Sequence, residues 1–284
     1  MKRLWSSLIG VLAVVFLACS LVHAAGDPLT FRLGTGKTSG VYYRIDAIKI
    51  VQQMDQRYMK FEITPEKNGT PELIEKVKRN ELDGAIVQFD GTISADPSSF
   101  KIIAALHDEY FFMLAKADSK FDSVKDLSPN DTIAIGSGGA ALTWSNFCKA
   151  DKDYVAIPTV PTAGPMALAD LSAGKISAVA MSGGLKLGDM LRANEQAGAF
   201  KLLSVNDGAF DNMKVNGTRV YEFAKISSSQ FKNLISWGGE KTLKTKAVFI
   251  VSTAWLQDHE DAFDRLYDAV TKAIPNINKE LEKE

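Results

Sequence analysis

One pattern, written twice, constrains this chain more than any other feature. Val77-Lys-Arg-Asn80-Glu-Leu82-Asp-Gly84-Ala-Ile86 runs from the end of a helical face, through a stop, into a short apolar strand. Leu171-Ser-Ala-Gly174-Lys-Ile176-Ser-Ala178-Val-Ala180 passes through the same roles in the same order. Each copy ends in a polar, Gly-containing loop: Phe89-Asp90-Gly91 in the first and Ser182-Gly183-Gly184 in the second. Two similar α/β lobes account for the recurrence. Two unrelated βαβ units that look alike are the rival explanation.

Around both copies, strand spacing alternates with helix spacing. Leu29 to Leu33 reads as a strand, a Gly-rich loop Gly34 to Gly40 follows, and Val41, Ile45, Ile48 and Val51 then fall on one helical face. Lys60 to Pro65 reads as a strand, and Thr70-Pro71-Glu72 opens a helix with Pro at its first position. Gly84 to Gln88, Lys101 to Leu106, Tyr110 to Ala115, Thr132 to Ile135, Tyr154 to Pro158, Ile176 to Met181 and Val248 to Val251 read as further strands. A helix is expected after Gly136-Ser137-Gly138-Gly139, another from Pro165 to Ala173, and a last one from about Asp258 with Phe263, Leu266, Tyr267 and Val270 on one face. Such alternation predicts an α/β fold with a parallel sheet. Ligands of open α/β sheets sit beyond the carboxyl ends of the strands, so two facing lobes would enclose one cleft.

The first residues read as an export leader. Lys2 and Arg3 precede an uncharged apolar run from Leu8 to Val22, and Val22-His23-Ala24 resembles a cleavage site, leaving a mature chain of about 260 residues. The run is about 15 residues, short of the roughly 20 that span a bilayer. A periplasmic destination follows; lipidation at Cys19, after Leu17-Ala18, is the rival. With Cys19 in the leader, Cys148 is alone and no disulfide framework is available, so stability must come from a core. Charges balance, 33 Lys and Arg against 34 Asp and Glu, and no basic stripe points to nucleic acid.

The loops carry the candidate chemistry. Gly36-Lys37-Thr38 invites a P-loop reading, but Phe31 stands where the motif's first Gly belongs; Gly34-x-Gly36 begins a dinucleotide fingerprint, but Ser39 takes the third Gly's place. What survives is physical. Gly34, Gly36 and Gly40 let backbone N–H groups approach a ligand, and the following helix presents the positive end of its dipole. Gly136-Ser137-Gly138-Gly139 and Ser182-Gly183-Gly184 repeat the design, which suits an anion held between lobes. Tyr42 and Tyr43 adjoin the first loop, and helix spacing turns at most one of them to a ligand. Gln88 could pair with an amide or carboxylate; Asp90 is open between binding an ammonium group and serving as a loop acid or helix cap. His107 and His259 are the histidines outside the leader, no zinc spacing occurs, and no Gly-x-Ser-x-Gly elbow occurs. A hydrolase using Ser137 or His107 in the same cleft is a minor alternative.

Phe31-Arg-Leu-Gly34-Thr-Gly36-Lys-Thr-Ser-Gly40-Val-Tyr42-Tyr43 resembles the opening of the TAXI-type solute-binding proteins of TRAP transporters. Asn68-Gly69-Thr70, Asp83 to Asp90, Ile103 to Tyr110, Ala117-Asp118-Ser119, Val124 to Leu127 and Thr242 to Val251 extend the resemblance over most of the mature chain, while Phe231 stands where Tyr is expected. The resemblance implies an α/β, two-lobed periplasmic binding protein of type II with a ligand cleft between its lobes. It implies a receptor, not an enzyme, that binds a small organic anion such as glutamate or 2-oxoglutarate and delivers it to a TRAP-type permease. A receptor serving an ABC permease or a sensor kinase is the alternative. Expected ligand contacts are Thr35, Gly36, Tyr42, Tyr43, Gln88, Tyr110, Ser137, Gly138, Gly139, Gly183 and Gly184, with no cofactor and no metal, in a monomer. The expected division is a leader over residues 1–24, a first lobe over 25–115 plus 206–284, and a second over 116–205.

Overall fold

The computed structural model describes residues 27–235 and 239–283. The leader, Cys19 and His23 lie outside them. The recurrence read from the sequence is a recurrence of structure. Helix α2 (Thr70–Lys78) and helix α4 (Gly164–Ser172) each span nine residues with Pro in the first turn. Each is followed by a left-handed residue, Asn80 at φ 57° and Gly174 at φ 70°. Each then leads to a strand, β3 (Gly84–Gln88) or β7 (Ala178–Gly183).

The two units are related by an approximate two-fold rotation about a shared ribbon. In the first, β2 (Met59–Pro65), β1 (Leu29–Thr35) and β3 lie side by side and parallel. In the second, β7, β5 (Ile133–Ile135) and β6 (Thr159–Val160) do the same. Between them lie β4 (Phe100–Lys116) and β12 (Glu240–Ser252), antiparallel to each other and to the strands they touch. The strand order is β2-β1-β3-β12-β4-β7-β5-β6, with β8 (Phe200–Leu202) on β4 and β11 (Glu222–Ile226) on β12. The sheet is therefore mixed. A parallel sheet describes each unit but not the ribbon that joins them.

Several expectations shift. Lys101 to Leu106 and Tyr110 to Ala115 are one continuous strand, β4, because ladder pairing with β12 carries the backbone through the polar stretch between them. Tyr154 to Pro158 is not a strand. Asp151 accepts from the Asp153 N–H at 3.0 Å and starts a 3-10 turn over Lys152–Ala156, leaving only Thr159 and Val160 extended. Helix α7 (Glu260–Leu281) buries Leu266 and Val270, whereas Tyr267 is 43% exposed.

Hydrophobic packing holds each unit to the ribbon. Phe31, Phe249 and Trp255 pack with the buried face of α7 on one side. Phe112, Leu168 and Phe200 form a second cluster, which also takes Ile226, Phe231, Leu234 and Ile235 from a segment assigned by sequence to the first lobe. A third, central cluster stacks Phe147 on Phe210 with ring centres 3.8 Å apart. Cys148 is half-buried beside it, and burial raises its thiol pKa.

The recurrence also predicts a difference. Ala178 opens β7 where Gly84 opens β3. A Cβ on Gly84 would lie 2.5 Å from the Ile250 carbonyl oxygen and 2.7 Å from the Phe31 ring. Gly84→Ala is therefore expected to destabilise the protein by about 1–3 kcal/mol, as overpacking does. Urea unfolding checks this: a midpoint unchanged from the parent would mean that the contact is not a constraint.

Candidate functional site

A cleft of about 960 Å³ opens between the two parallel units, with the ribbon as its floor. Helix N-termini dominate its walls. The π-helical turn Tyr42–Ala47, which continues as α1 (Ile48–Gln53), starts at the Gly36–Gly40 loop. Helices α2, α3 (Gly139–Ala150), α4 and α5 (Gly188–Glu195) start at Gly69, Gly138, Ala163 and Leu187. None of these five starts has a side-chain cap hydrogen bond. Helices α3 and α4 also lack an acidic residue in the first turn. Elsewhere, Ser123, Asp151, Asp207 and Ser252 accept backbone N–H groups at helix starts in the usual way, although α7, which begins at His259, has no such cap. Unfilled N–H groups with the positive dipole end behind them favour an anion.

Glycine makes this geometry possible at two facing positions. Gly69 (φ 72°, ψ −153°) and Gly138 (φ 97°, ψ −140°) hold backbone conformations that L-residues avoid. A Cβ on Gly69 would sit 3.4 Å from the Gly138 Cα, so the two units meet there across the rim.

Gln88 ties the floor to both units. Its N–H donates to Thr70 Oγ1 at 3.0 Å, and its Nε2 donates to Thr143 Oγ1 at 3.0 Å. Ser182 Oγ donates to Gln88 Oε1 at 3.4 Å. Gln88 and Ser182 are the positions that the recurrence makes equivalent, 94 residues apart, and they touch. Gly139 lies so close that a Cβ would overlap Gln88 Oε1.

The structure sorts the expected residues. Gly36, Tyr42, Gln88, Tyr110, Ser137, Gly138, Gly139, Gly183 and Gly184 line the cleft. Thr35 does not: it ends β1 fully buried, and its hydroxyl donates to the Gly36 carbonyl at 3.1 Å. Tyr43 is not in the lining either, because its neighbour Tyr42 takes the cleft-facing position of that helical turn. Asp90 is neither an ammonium site nor a solvated acid. It is 1% exposed behind the cleft, where the Thr143 and Tyr221 hydroxyls each donate to Oδ2 at 2.7 Å. Burial pushes its pKa up to about 6 against the pull of those donors.

The charged run His107-Asp108-Glu109 lies at the ribbon, with partners that the sequence did not reveal. His107 Nε2 meets Asp46 Oδ2 at 3.0 Å, and Tyr42 Oη donates to Glu109 Oε2 at 2.7 Å. His107 and Glu109 line the cleft, and both are almost fully buried. Between them Asp108, also in the lining, binds Lys244 at 3.1 Å and Lys246. Asp46 was the available signal: an acid set between Ile45 and Ala47 on a helical face that should be apolar. Burial raises the pKa of Glu109. Burial alone would lower that of His107, but the Asp46 and Glu109 carboxylates outweigh it and raise it to about 9. The second ring nitrogen, Nδ1, faces the Asp108 carbonyl at 3.2 Å. With both nitrogens engaged, the imidazole has none left to activate a serine hydroxyl.

Folding thus holds the His107 proton more tightly than the ordinary pKa of 6.5 would. The stability this confers is complete below about pH 6.5 and is lost as pH rises to about 9. An NMR titration of the imidazole is expected to show a midpoint near 9, and the unfolding free energy to fall across that window. A midpoint near 6.5 would mean that the Asp46 pair does not form.

No family sequence model and no curated protein matches the chain. Solved structures do. The periplasmic aliphatic sulphonate-binding protein SsuA of Escherichia coli superposes with a TM-score of 0.55 at 13% identity, covering 90% of this chain and 76% of that one. The arginine-, lysine-, histidine-binding protein ArtJ of Geobacillus stearothermophilus gives 0.53 at 14% identity, covering 90% and 96%. The putative sulfonate-binding protein SsuA of Methylobacillus flagellatus KT gives 0.52 at 14%, covering 87% and 68%. At such identities the likeness is one of fold. The fold is that of the two-lobed, type II periplasmic binding proteins.

Proposed function

We propose that this chain is an extracytoplasmic solute receptor that holds a small organic anion in the interlobe cleft. One observation carries the reading: five helices start at the cleft, and none has a side-chain cap. A carboxylate would fill the N–H groups that side chains fill at four other helix starts of the same molecule. The start of helix α3, beside Ser182 and with no acid in its first turn, is the strongest donor, whereas the Asp189 carboxylate lies near the start of α4. Gln88 and Ser182 would report closure, since their contact joins the two units.

The resemblance of the Gly34 to Tyr43 segment to TAXI-type receptors supports a dicarboxylate or an amino acid, glutamate or 2-oxoglutarate among them, and delivery to a TRAP-type permease. The leader read over residues 1–24 supports a periplasmic location, with Cys19 as the point of tethering if it is lipidated. A second reading keeps the receptor and changes the partner. The Methylobacillus neighbour is named as part of a sulfonate ABC transporter, which favours an ABC permease. In either case closure would turn ligand binding into a shape that a membrane partner recognises.

Thermal unfolding in the presence of dicarboxylates, keto acids and amino acids tests the proposal. A ligand at one hundred times its Kd is expected to add about 2.7 kcal/mol to stability. Gly139→Ala, whose Cβ would overlap Gln88 Oε1, is expected to weaken that ligand at least tenfold. Gly208→Ala, at an open position away from the cleft, should leave the affinity unchanged. No stabilisation by any anion would sink the reading.

A further inference from the structure

A chain of hydrogen bonds runs from the buried Asp90 to the wall of the cleft, and the receptor reading gives it no role. Asp90, Thr143, Asn146 and Tyr221 are each no more than 2% exposed. Burial pushes the Asp90 pKa up only to about 6, so the group is charged at neutral pH. A carboxylate only accepts hydrogen bonds, so every hydroxyl bonded to it must donate. Thr143 and Tyr221 both do, to Oδ2 at 2.7 Å.

That charge fixes the protons further along. A hydroxyl has one proton, so Thr143, having given it to Asp90, can only accept from Gln88. The Gln88 amide therefore turns its Nε2 to Thr143, at 3.0 Å, and its Oε1 away. Tyr221 is held in the same way: its oxygen accepts from Asn146 Nδ2 at 3.1 Å, and that nitrogen also donates to the Asp90 carbonyl at 3.2 Å. Gln88 Oε1 meets the Ser182 hydroxyl, which has to donate, at 3.4 Å. The order is thus Asp90, Thr143, Gln88, Ser182, with each bond donated back toward the carboxylate.

Ser182 is where this order reaches the cleft. The three members behind it are buried, whereas Ser182 is half-buried and in the lining. With its proton committed to Gln88, its hydroxyl turns oxygen lone pairs to the cleft. The start of α3 lies beside it. A Cβ on Gly139 would overlap Gln88 Oε1 and lie 3.2 Å from Ser182 Oγ. A carboxylate held by the α3 N–H groups would have this acceptor next to it, and two acceptors side by side leave both unsatisfied unless a donor stands between them.

We propose that Asp90 is a positioning residue that sets ligand choice: acting through Thr143 and Gln88, it holds Ser182 as an acceptor, and the cleft thereby selects an organic anion with an ammonium or hydroxyl donor beside its carboxylate. This rests on the receptor reading for where the anion sits, and adds the group next to it. An amino or hydroxy acid supplies the donor. The same acid without that group leaves Ser182 facing the carboxylate with nothing to share.

Two measurements on the full chain test this. The first needs no ligand. At neutral pH the Gln88 side-chain NH2 protons are expected to show stronger NOE contacts to Thr143 than to Ser182. Asp90→Leu, which removes the acceptor at similar size, should free the Thr143 proton for Gln88 Oε1 and turn the amide over, so that the stronger contact moves to Ser182. If that variant does not fold, the pattern in the parent chain and the Thr143 variants below carry the test. The second is isothermal titration with L-aspartate against succinate, L-glutamate against glutarate, and L-leucine against 4-methylpentanoate, each pair differing by the ammonium group. In a pair that binds, the amino acid is expected to be favoured at least tenfold. Ser182→Ala and Thr143→Val should each cut that preference at least fivefold, and Thr143→Ser, which keeps the hydroxyl, should preserve it. A stronger contact of the Gln88 NH2 with Ser182 in the parent chain, equal affinities within the pairs, or a preference that survives both Ser182→Ala and Thr143→Val would each overturn the proposal. Binding without preference would leave the receptor reading standing, whereas no binding by any of these acids would count against both.

Discussion

The pairing of β4 with β12 is the constraint on which the rest of the molecule depends. Both strands are long enough to leave one unit and enter the other, 17 and 13 residues respectively. Each parallel unit has three strands and buries its faces against helices, but neither closes on itself. The ribbon supplies the fourth neighbour to each: β12 to β3 and β4 to β7. Because the ribbon is antiparallel and the units are related across it by an approximate two-fold rotation, the carboxyl ends of β3 and β7 face each other. That is why Gln88 and Ser182 meet, and why the cleft lies where it does.

The ribbon also explains the division of charge in the site. Helices that follow parallel strands start at the strands' carboxyl ends, so their positive ends converge on the cleft. The middle of β4 crosses beneath them and carries His107, Asp108 and Glu109. His107 and Glu109 are buried and need partners, Asp46 and Tyr42 respectively, while the half-buried Asp108 pairs with Lys244 and Lys246. The result is a cleft with N–H groups on its walls and paired charges on its floor. Breaking one pair would leave its partner buried and unsatisfied, so this floor is tuned to a single arrangement.

Much of the fold was legible because it is local. The switch between strand and helix spacing marked most elements, and the doubled segment gave both units with their stops at Asn80 and Gly174. What failed was non-local. The polar centre of β4 looks like a break between two strands because its partners lie on β12 and in the Tyr42–Ala47 turn, far along the chain. Asp90 looks like a loop acid because Thr143 and Tyr221 are 53 and 131 positions away. Thr35 looks like a ligand contact because it adjoins Gly36, yet the end of β1 is buried before the loop emerges. The Gly loops were the better guide to the lining of the cleft, since a helix start that needs Gly and has no capping side chain is visible in the sequence alone.

Native mass spectrometry of the freshly purified chain tests the central claim most directly. The account predicts a complex heavier than the bare chain by the mass of one small organic acid, which is lost on denaturation. A bare mass that persists after incubation with mixed dicarboxylates and amino acids would contradict it.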